Sequence, residues 1–249
     1  MRTRKIVKST KQKQSRQSSR NEYFEEDFVP AVTRRTVPKL VAKTENQKKF
    51  ISAITNFRII YGIGPAGTGK TYASTMLACQ ALADKTIDKI VLTRPAVEAG
   101  EKLGFLPGEL DQKYAPYLAP VIEYMNDYFG KSHVENLIKL GKIEAIPLGF
   151  MRGRTFRNCM VLVDEAQNIT KEQMKMLLTR IGEGCTMVVD GDPTQADIRN
   201  SGLMDSVKRI GYIPNVKVVT FTKQDVVRDP LVAEILDAYD LHPDNQSST

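Results

Sequence analysis

Gly64-Pro65-Ala66-Gly67-Thr68-Gly69-Lys70-Thr71 is the stretch on which the reading of this chain turns, because it matches the pattern G-x-x-x-x-G-K-[ST] at every fixed position. The glycines let the backbone wrap around phosphate oxygens. The loop amides and the N-terminus of a following helix then point at the anion. An apolar run, Arg58 to Ile63, lies in front of the loop and predicts a strand; Lys70 to about Ala83 predicts a helix behind it. Without that context the motif reads only as a glycine-rich turn. With it, Lys70 is expected to reach the β- and γ-phosphates of ATP, and the Thr71 hydroxyl to ligate Mg²⁺. The expected nucleotide contacts are Gly64, Pro65, Ala66, Gly67, Thr68, Gly69, Lys70, Thr71 and the adjoining Tyr72.

Outward from the loop, strand and helix signals alternate. Thr44-Glu45-Asn46-Gln47 has the capping-box pattern and opens a helix. Asp88 to Leu92 predicts a strand, Glu109 to Tyr128 a helix, and Ser132 with Glu135 another helix start. Ile143 to Ile146, Cys159 to Val163, Thr186 to Val189 and Val216 to Phe221 predict strands. Thr170 caps a helix reaching about Ile181, and Asp229-Pro230 starts a last one. Cys159 to Val163 is apolar throughout, as in a strand buried on both faces. This alternation predicts an α/β fold with a doubly wound, mostly parallel sheet. No internal repeat is visible.

Two further strand ends carry chemistry. Val161-Leu162-Val163-Asp164-Glu165-Ala166-Gln167 is an apolar strand closing on two acids. Asp164 suits Mg²⁺ held through water, and Glu165 is placed to orient and deprotonate an attacking water; the plainer alternative is a helix-capping acid pair. Val188-Val189-Asp190-Gly191-Asp192-Pro193-Thr194-Gln195 ends at the same sheet edge, so Gln195 can sense the γ-phosphate or the water, unless Gly-Asp-Pro only builds a turn. Gln47 lies where its amide can read an adenine edge, beside its capping role. Arg152, Arg154, Arg157, Arg180 and Arg228 are candidate arginine fingers.

The formal net charge is +7, but eight basic and no acidic residues fall within the first twenty, leaving 28 basic against 29 acidic elsewhere. Residues 1–40 therefore read as a basic, disordered arm able to contact nucleic-acid phosphates or merely to solubilise. Residues 41–240 form the domain and 241–249 a polar tail. Cys79, Cys159 and Cys185 contain no C-x-x-C pair and are expected to be buried apolar packing; His133 and His242 are far apart. No apolar run suits a membrane helix or a signal peptide, and a cytoplasmic location is expected, the host cytoplasm if the chain is phage-encoded.

These residues carry a resemblance. Gly64 to Thr71, Asp164-Glu165-Ala166-Gln167 and Gly191-Asp192-x-x-Gln195 resemble motifs I, II and III of superfamily 1 helicases, and Thr44-x-x-Gln47 resembles their Q motif. Leu103 to Gly108, Met151 to Thr155, Glu172 to Met176 and Asp225 to Val232 resemble PhoH-like proteins more closely still. The resemblance implies one RecA-like core, ATP hydrolysis and a ring, with a hexamer favoured, in the short single-domain form. Relatives usually have His where Asp229 stands, which bears on how Arg228 is paired. With one RecA-like domain, a finger would come from a neighbouring subunit, Arg228 and Arg154 being the first choices. RNA or single-stranded DNA would meet the face carrying Thr93-Arg94-Pro95 and Thr155-Phe156, if Phe156 stacks on a base and is not core. The competing readings are a nucleotide-switched assembly protein with slow turnover and, more remotely, a small-molecule kinase.

Overall fold

Six short runs rich in Ile, Val, Leu and Met form strands: β1 Ile59–Ile63, β2 Lys89–Thr93, β3 Ile143–Ala145, β4 Cys159–Val163, β5 Thr186–Gly191 and β6 Val216–Thr220. The computed structural model describes residues 38–95 and 110–227, with Leu231 and Ile235. The strands make one sheet in the order β3-β2-β4-β5-β1-β6, and every pairing is parallel. The α-helices with described bounds are α1 Glu45–Asn56, α2 Lys70–Ala83, α3 Leu110–Phe129, α4 Lys131–Lys139, α5 Lys171–Leu178 and α6 Leu203–Ile210.

Parallel strands need both faces covered, and the side chains divide accordingly. Met160 and Leu162 of β4 join Ile90, Leu92 and Val188 under α1 to α4, where Phe50, Cys79, Leu118 and Val134 meet them. Cys159, Val161 and Val163 join Val91, Met187 and Val189 on the opposite face, under Met174, Leu177 and Leu203 of α5 and α6. The fold is thus the expected doubly wound α/β sheet of the RecA-like, P-loop type.

Register brings the chemistry together. Ile63 pairs with Gly191 and with Thr220, Val163 with Val189 and with Thr93, so the carboxyl ends of β1, β2, β4, β5 and β6 lie at one edge. Chain order reverses around β1. Its successor β2 lies three places away across β5 and β4, while β6 takes the other side. Ligands of open α/β sheets bind outside the carboxyl edge at such a switch point.

Several local expectations change. α4 begins at Lys131 behind Gly130, whose φ of 89° suits glycine, so Ser132 lies inside the helix and does not cap it. α5 has the expected Thr170 capping box with Gln173 but stops at Leu178, and Ile181 bridges to Phe156 instead. Phe156 is 2% exposed and belongs to the core, which removes base stacking by its ring. The three cysteines are buried and free, with the Cys159 and Cys185 sulfurs 3.9 Å apart across β4 and β5. The basic arm up to residue 37, the Leu103 to Gly108 stretch, Arg228, the Asp229-Pro230 helix start and the polar tail lie outside the described residues. Among the described residues no helix is long and apolar enough to cross a membrane.

Candidate functional site

The loop after β1 is shaped by glycines at positive φ: Gly64 at 141°, Gly67 at 78° and Gly69 at 79°. A Cβ on Gly64 would lie 2.4 Å from the Phe221 carbonyl oxygen, so no side chain fits there. Lys70 opens α2 and folds back into the loop. Its Nζ donates to Gly64 O at 2.8 Å, Pro65 O at 2.7 Å and Thr68 Oγ1 at 3.2 Å. Burial pushes the Lys70 pKa down, while the carboxylates of Asp190, Asp192, Asp164 and Glu165 oppose that shift.

The next residue turns to β4: Thr71 Oγ1 donates to Asp164 Oδ1 at 3.1 Å. Burial, with Glu165 beside it, raises the Asp164 pKa; Arg94 and the Thr71 hydroxyl act the other way. Glu165 holds a left-handed backbone, φ 52°, an uncommon conformation for a non-glycine residue and one that often marks functional positions. Arg94, at the end of β2, places Nη2 3.2 Å from Glu165 Oε1 and Nη1 3.6 Å from Asp164 Oδ2. Gln167 donates through Nε2 to Glu165 Oε2, and its Oε1 accepts from the Asp192 backbone N–H at 3.1 Å. The acid pair is thereby wired to the loop after β5. There Asp192 Oδ1 accepts from Thr194 N and Oγ1 at 3.0 and 2.7 Å, shaping the turn that carries Gln195 to the cleft.

Two segments brace the phosphate loop from behind. Gln47 Nε2 donates to Thr68 O at 3.0 Å, and Gln47 Oε1 accepts from Lys43 N at 2.7 Å. Thr44 Oγ1 caps α1 by accepting from Gln47 N, but the reciprocal half of the capping box is not formed. The Gln47 amide is thus a loop brace beside the cleft. On the other side, Val227 N–H donates to Gly67 O at 2.9 Å. That segment is anchored by Asp225, whose Oδ2 accepts from Asn46 Nδ2, Thr222 N and Thr222 Oγ1. Burial opposes ionisation of Asp225, yet hydrogen bonds including these bring its pKa down to about 2.

The resulting cleft of about 460 Å³ is lined by Gln47, loop residues 66, 67 and 69–72, and the acids Asp164, Glu165, Asp190 and Asp192. Its apolar lining includes Leu40, Val41, Ile51 and Tyr72, with Tyr72 edge-on to Tyr124 at 5.2 Å between ring centroids. Arg154 does not line it. Its Nη2 is 2.7 Å from Glu144 Oε2, a carboxylate shared with Lys89, and its guanidinium lies 5.6 Å from the Phe156 ring centroid.

Sequence reasoning missed Arg94 as a partner of the acids, having assigned it to a nucleic-acid face; its place at the end of a strand beside β4 was the available signal. The bracing by Gln167, the buried carboxyl of Asp190 and the contribution of Tyr124 were also missed. Asp190 Oδ2 accepts from Ser74 Oγ at 3.1 Å. Burial, with Asp164 adding to it, pushes the Asp190 pKa up to about 8 against Lys70 and Ser74.

A glycine loop entering α2, with an acid pair one strand beyond β5 at the same sheet edge, is the layout of a P-loop NTPase, and that is the class of this domain. Residues 39–240 match the PhoH-like protein family. The chain belongs to that family. It is 45% identical over 223 residues to a PhoH-like protein of Bacillus subtilis, covering 88% of this chain and 70% of the relative. It is 49% identical over 200 residues to a PhoH-like protein of Mycobacterium bovis, covering 79% and 57% of the two chains. For Protein PhoH of Escherichia coli K12 the identity is 42%, with coverage of 82% and 59%. The chain thus spans less than two thirds of the length of these last two relatives. Among solved structures, the Hef helicase domain of Pyrococcus furiosus aligns with a TM-score of 0.43 at 14% identity, covering 72% of this chain and 38% of that one. The Pif1 helicase of Candida albicans aligns at 0.41 and 13%, covering 81% and 44%.

Proposed function

We propose that this protein is a Mg²⁺-dependent ATPase that hydrolyses ATP to ADP and phosphate, acts in the cytoplasm as a ring, with a hexamer favoured, and couples turnover to handling of RNA or single-stranded DNA. The observation that carries the hydrolytic reading is the placement of Glu165. Its carboxylate is gripped by Arg94 and Gln167 beside the Thr71–Asp164 pair, at the mouth of the phosphate loop.

The residues fit the expected ligands. Thr71 and Asp164 offer two oxygens 3.1 Å apart, a hard donor set suited to Mg²⁺, which would neutralise charge on the β- and γ-phosphate oxygens when bound. Lys70 would exchange its three loop acceptors for phosphate oxygens. The glycine amides and the first turn of α2 would hold the phosphates, and the apolar lining at Val41, Ile51 and Tyr72 would take the base. Glu165 would accept the proton of the attacking water, and Gln195 would report the γ-phosphate to the Asp192 turn. The nucleic-acid part of the reading is supported by the helicase-like motifs and the basic arm.

Lys70→Ala should abolish nucleotide binding and turnover together. Glu165→Gln should keep binding and lower kcat by about 10²–10⁴-fold, the usual weight of a general base. Binding titrations alongside steady-state rates test this; full turnover in either variant refutes it. One observation favours a second reading, a nucleotide-switched assembly protein with slow turnover: each Glu165 oxygen already accepts from Arg94 or Gln167, which restricts the directions from which a water can approach. The two readings separate on whether RNA or single-stranded DNA stimulates the ATPase rate.

A further inference from the structure

Two segments far apart in the chain hold consecutive carbonyls of the phosphate loop. Val227 N–H donates to Gly67 O at 2.9 Å, and Gln47 Nε2 donates to Thr68 O at 3.0 Å. The two segments are also bonded to each other, because Asn46 Nδ2 donates to Asp225 Oδ2 at 2.8 Å. That same oxygen accepts from Thr222 N at 2.9 Å and Thr222 Oγ1 at 3.1 Å, and Asp225 is only 4% exposed. The contacts run in a closed circuit: from the start of α1 to the loop, on to residues 222–227, and through Asp225 back to α1.

A planar trans peptide points its C=O and its N–H in opposite directions. Fixing the Gly67 and Thr68 carbonyls against the two segments turns the Thr68 and Gly69 N–H groups away from those segments. Successive amides turned to one side are what cradles an anion. Gly67 and Gly69 stand at φ of 78° and 79°. Glycine adopts such backbone readily but loses more freedom than any other residue when it is held there. A free loop would lose that freedom on binding phosphate, whereas a braced loop has lost it on folding. The brace is also close: a Cβ on Gly69 would lie 3.2 Å from Gln47 Nε2.

We infer that Asp225 is a positioning residue: it closes a belt, made of the start of α1 and residues 222–227, that sets the phosphate loop in its anion-binding shape before a ligand arrives. Asp225 acts through Asn46 and Val227 and does not itself line the cleft. Its charge strengthens each bond that it accepts. The role in nucleotide affinity rests on the function proposed above; the shaping of the loop does not. The two segments meet a second time where Phe50 of α1 stands edge-on to Phe221 at 5.5 Å between ring centroids, so removing the carboxylate leaves an apolar contact between them.

The test uses the full chain with Asp225→Ala and with Asn46→Ala, the second at a half-buried helix position that carries the test should the first fail to fold. Without nucleotide, amide hydrogen exchange over residues 66–69 should quicken about tenfold in each variant, and the Kd for ADP should rise about tenfold, the weight of one charge-assisted hydrogen bond. In steady state the loss should fall on KM and leave kcat in place. The double variant should bind ADP no worse than Asp225→Ala, because both changes break the same bond. Asp225→Asn keeps an acceptor and should restore most of the affinity. Thr170→Ala, away from the cleft, is the control: it should lower Tm and leave both loop exchange and ADP affinity as they were. Loop exchange at the wild-type rate in the variants overturns the inference, and so does an unchanged Kd for ADP in Asn46→Ala. A wild-type chain that binds no ADP refutes the nucleotide reading instead, and loop exchange then decides the belt by itself.

Discussion

At the scale of single residues, some side chains reach the site through fixed patterns along the chain and others through register across the sheet. Lys70, Thr71 and Asp164 stand in fixed patterns next to a strand end; in the structure Lys70 folds back onto Gly64 and Thr71 donates to Asp164. Arg94, Gln167 and Asp190 have no such pattern. Their roles arise from register: Thr93 beside Val163 brings Arg94 to the acids, and Val189 beside Val163 brings Asp192 to Gln167. Asp190 has a measurable consequence. Burial first, then the charge of Asp164, raise its pKa to about 8 in the folded chain, from about 3.9 when unfolded. Between those values the folded state holds a proton that the unfolded state has released, so stability should fall as pH rises from about 4 to 8. Asp190→Asn cannot ionise and should flatten this part of the curve. Urea unfolding at pH 5.5 and 8.5 checks it; the same pH dependence in both proteins would remove Asp190 as the source.

Secondary-structure elements were legible where a strong local device marks them. α2 and β4 run over the expected residues, one announced by the glycine loop and the other by five consecutive apolar side chains. α6 went unread although Leu203, Val207 and Ile210 recur at helical spacing, because Gly202 supplies no side-chain cap and the helix has only eight residues. The start of α4 differs from the expected one because the Gly130 N–H donates to Asn126 O at the end of α3 while Gly130 also starts the next helix, a corner that a Ser-x-x-Glu pattern does not reveal. α5 lies between these cases, with both halves of its capping box formed at Thr170 and Gln173. Thr170→Ala should cost about 1 kcal/mol, a Tm loss of about 2–4 °C at this size. The loss should appear in thermal unfolding and leave nucleotide affinity unchanged, because Thr170 does not line the cleft. An unshifted Tm would mean that packing of Met174 and Leu177 alone fixes the helix.

For the whole molecule, the proposed ring makes a testable claim about which arginine serves a neighbouring site. Among the described residues Arg94 is the arginine paired with both acids, and Arg154 is held by Glu144. A finger supplied by Arg154 would have to give up that ion pair and its place over Phe156. Arg228 follows Val227, whose N–H is bonded to the phosphate loop at Gly67. Arg228 lies outside the described residues, so of the two first choices it is the one left for the proposed ring to test. Arg228→Ala should lower kcat by about 10³-fold, the low end for an arginine finger, while nucleotide affinity holds. Arg154→Ala should act mainly on stability. A mixing experiment decides whether the arginine works across subunits. Arg228→Ala and Lys70→Ala proteins should each be inactive alone. In mixed assemblies, some subunits with an intact Lys70 would meet neighbours with an intact Arg228, and turnover should reappear in proportion to those interfaces. If both groups serve the same chain, no mixture can contain a complete site and the rate stays at zero at every ratio. Turnover restored by mixing, and lost again on dilution below the assembly concentration, is the result expected of a shared site.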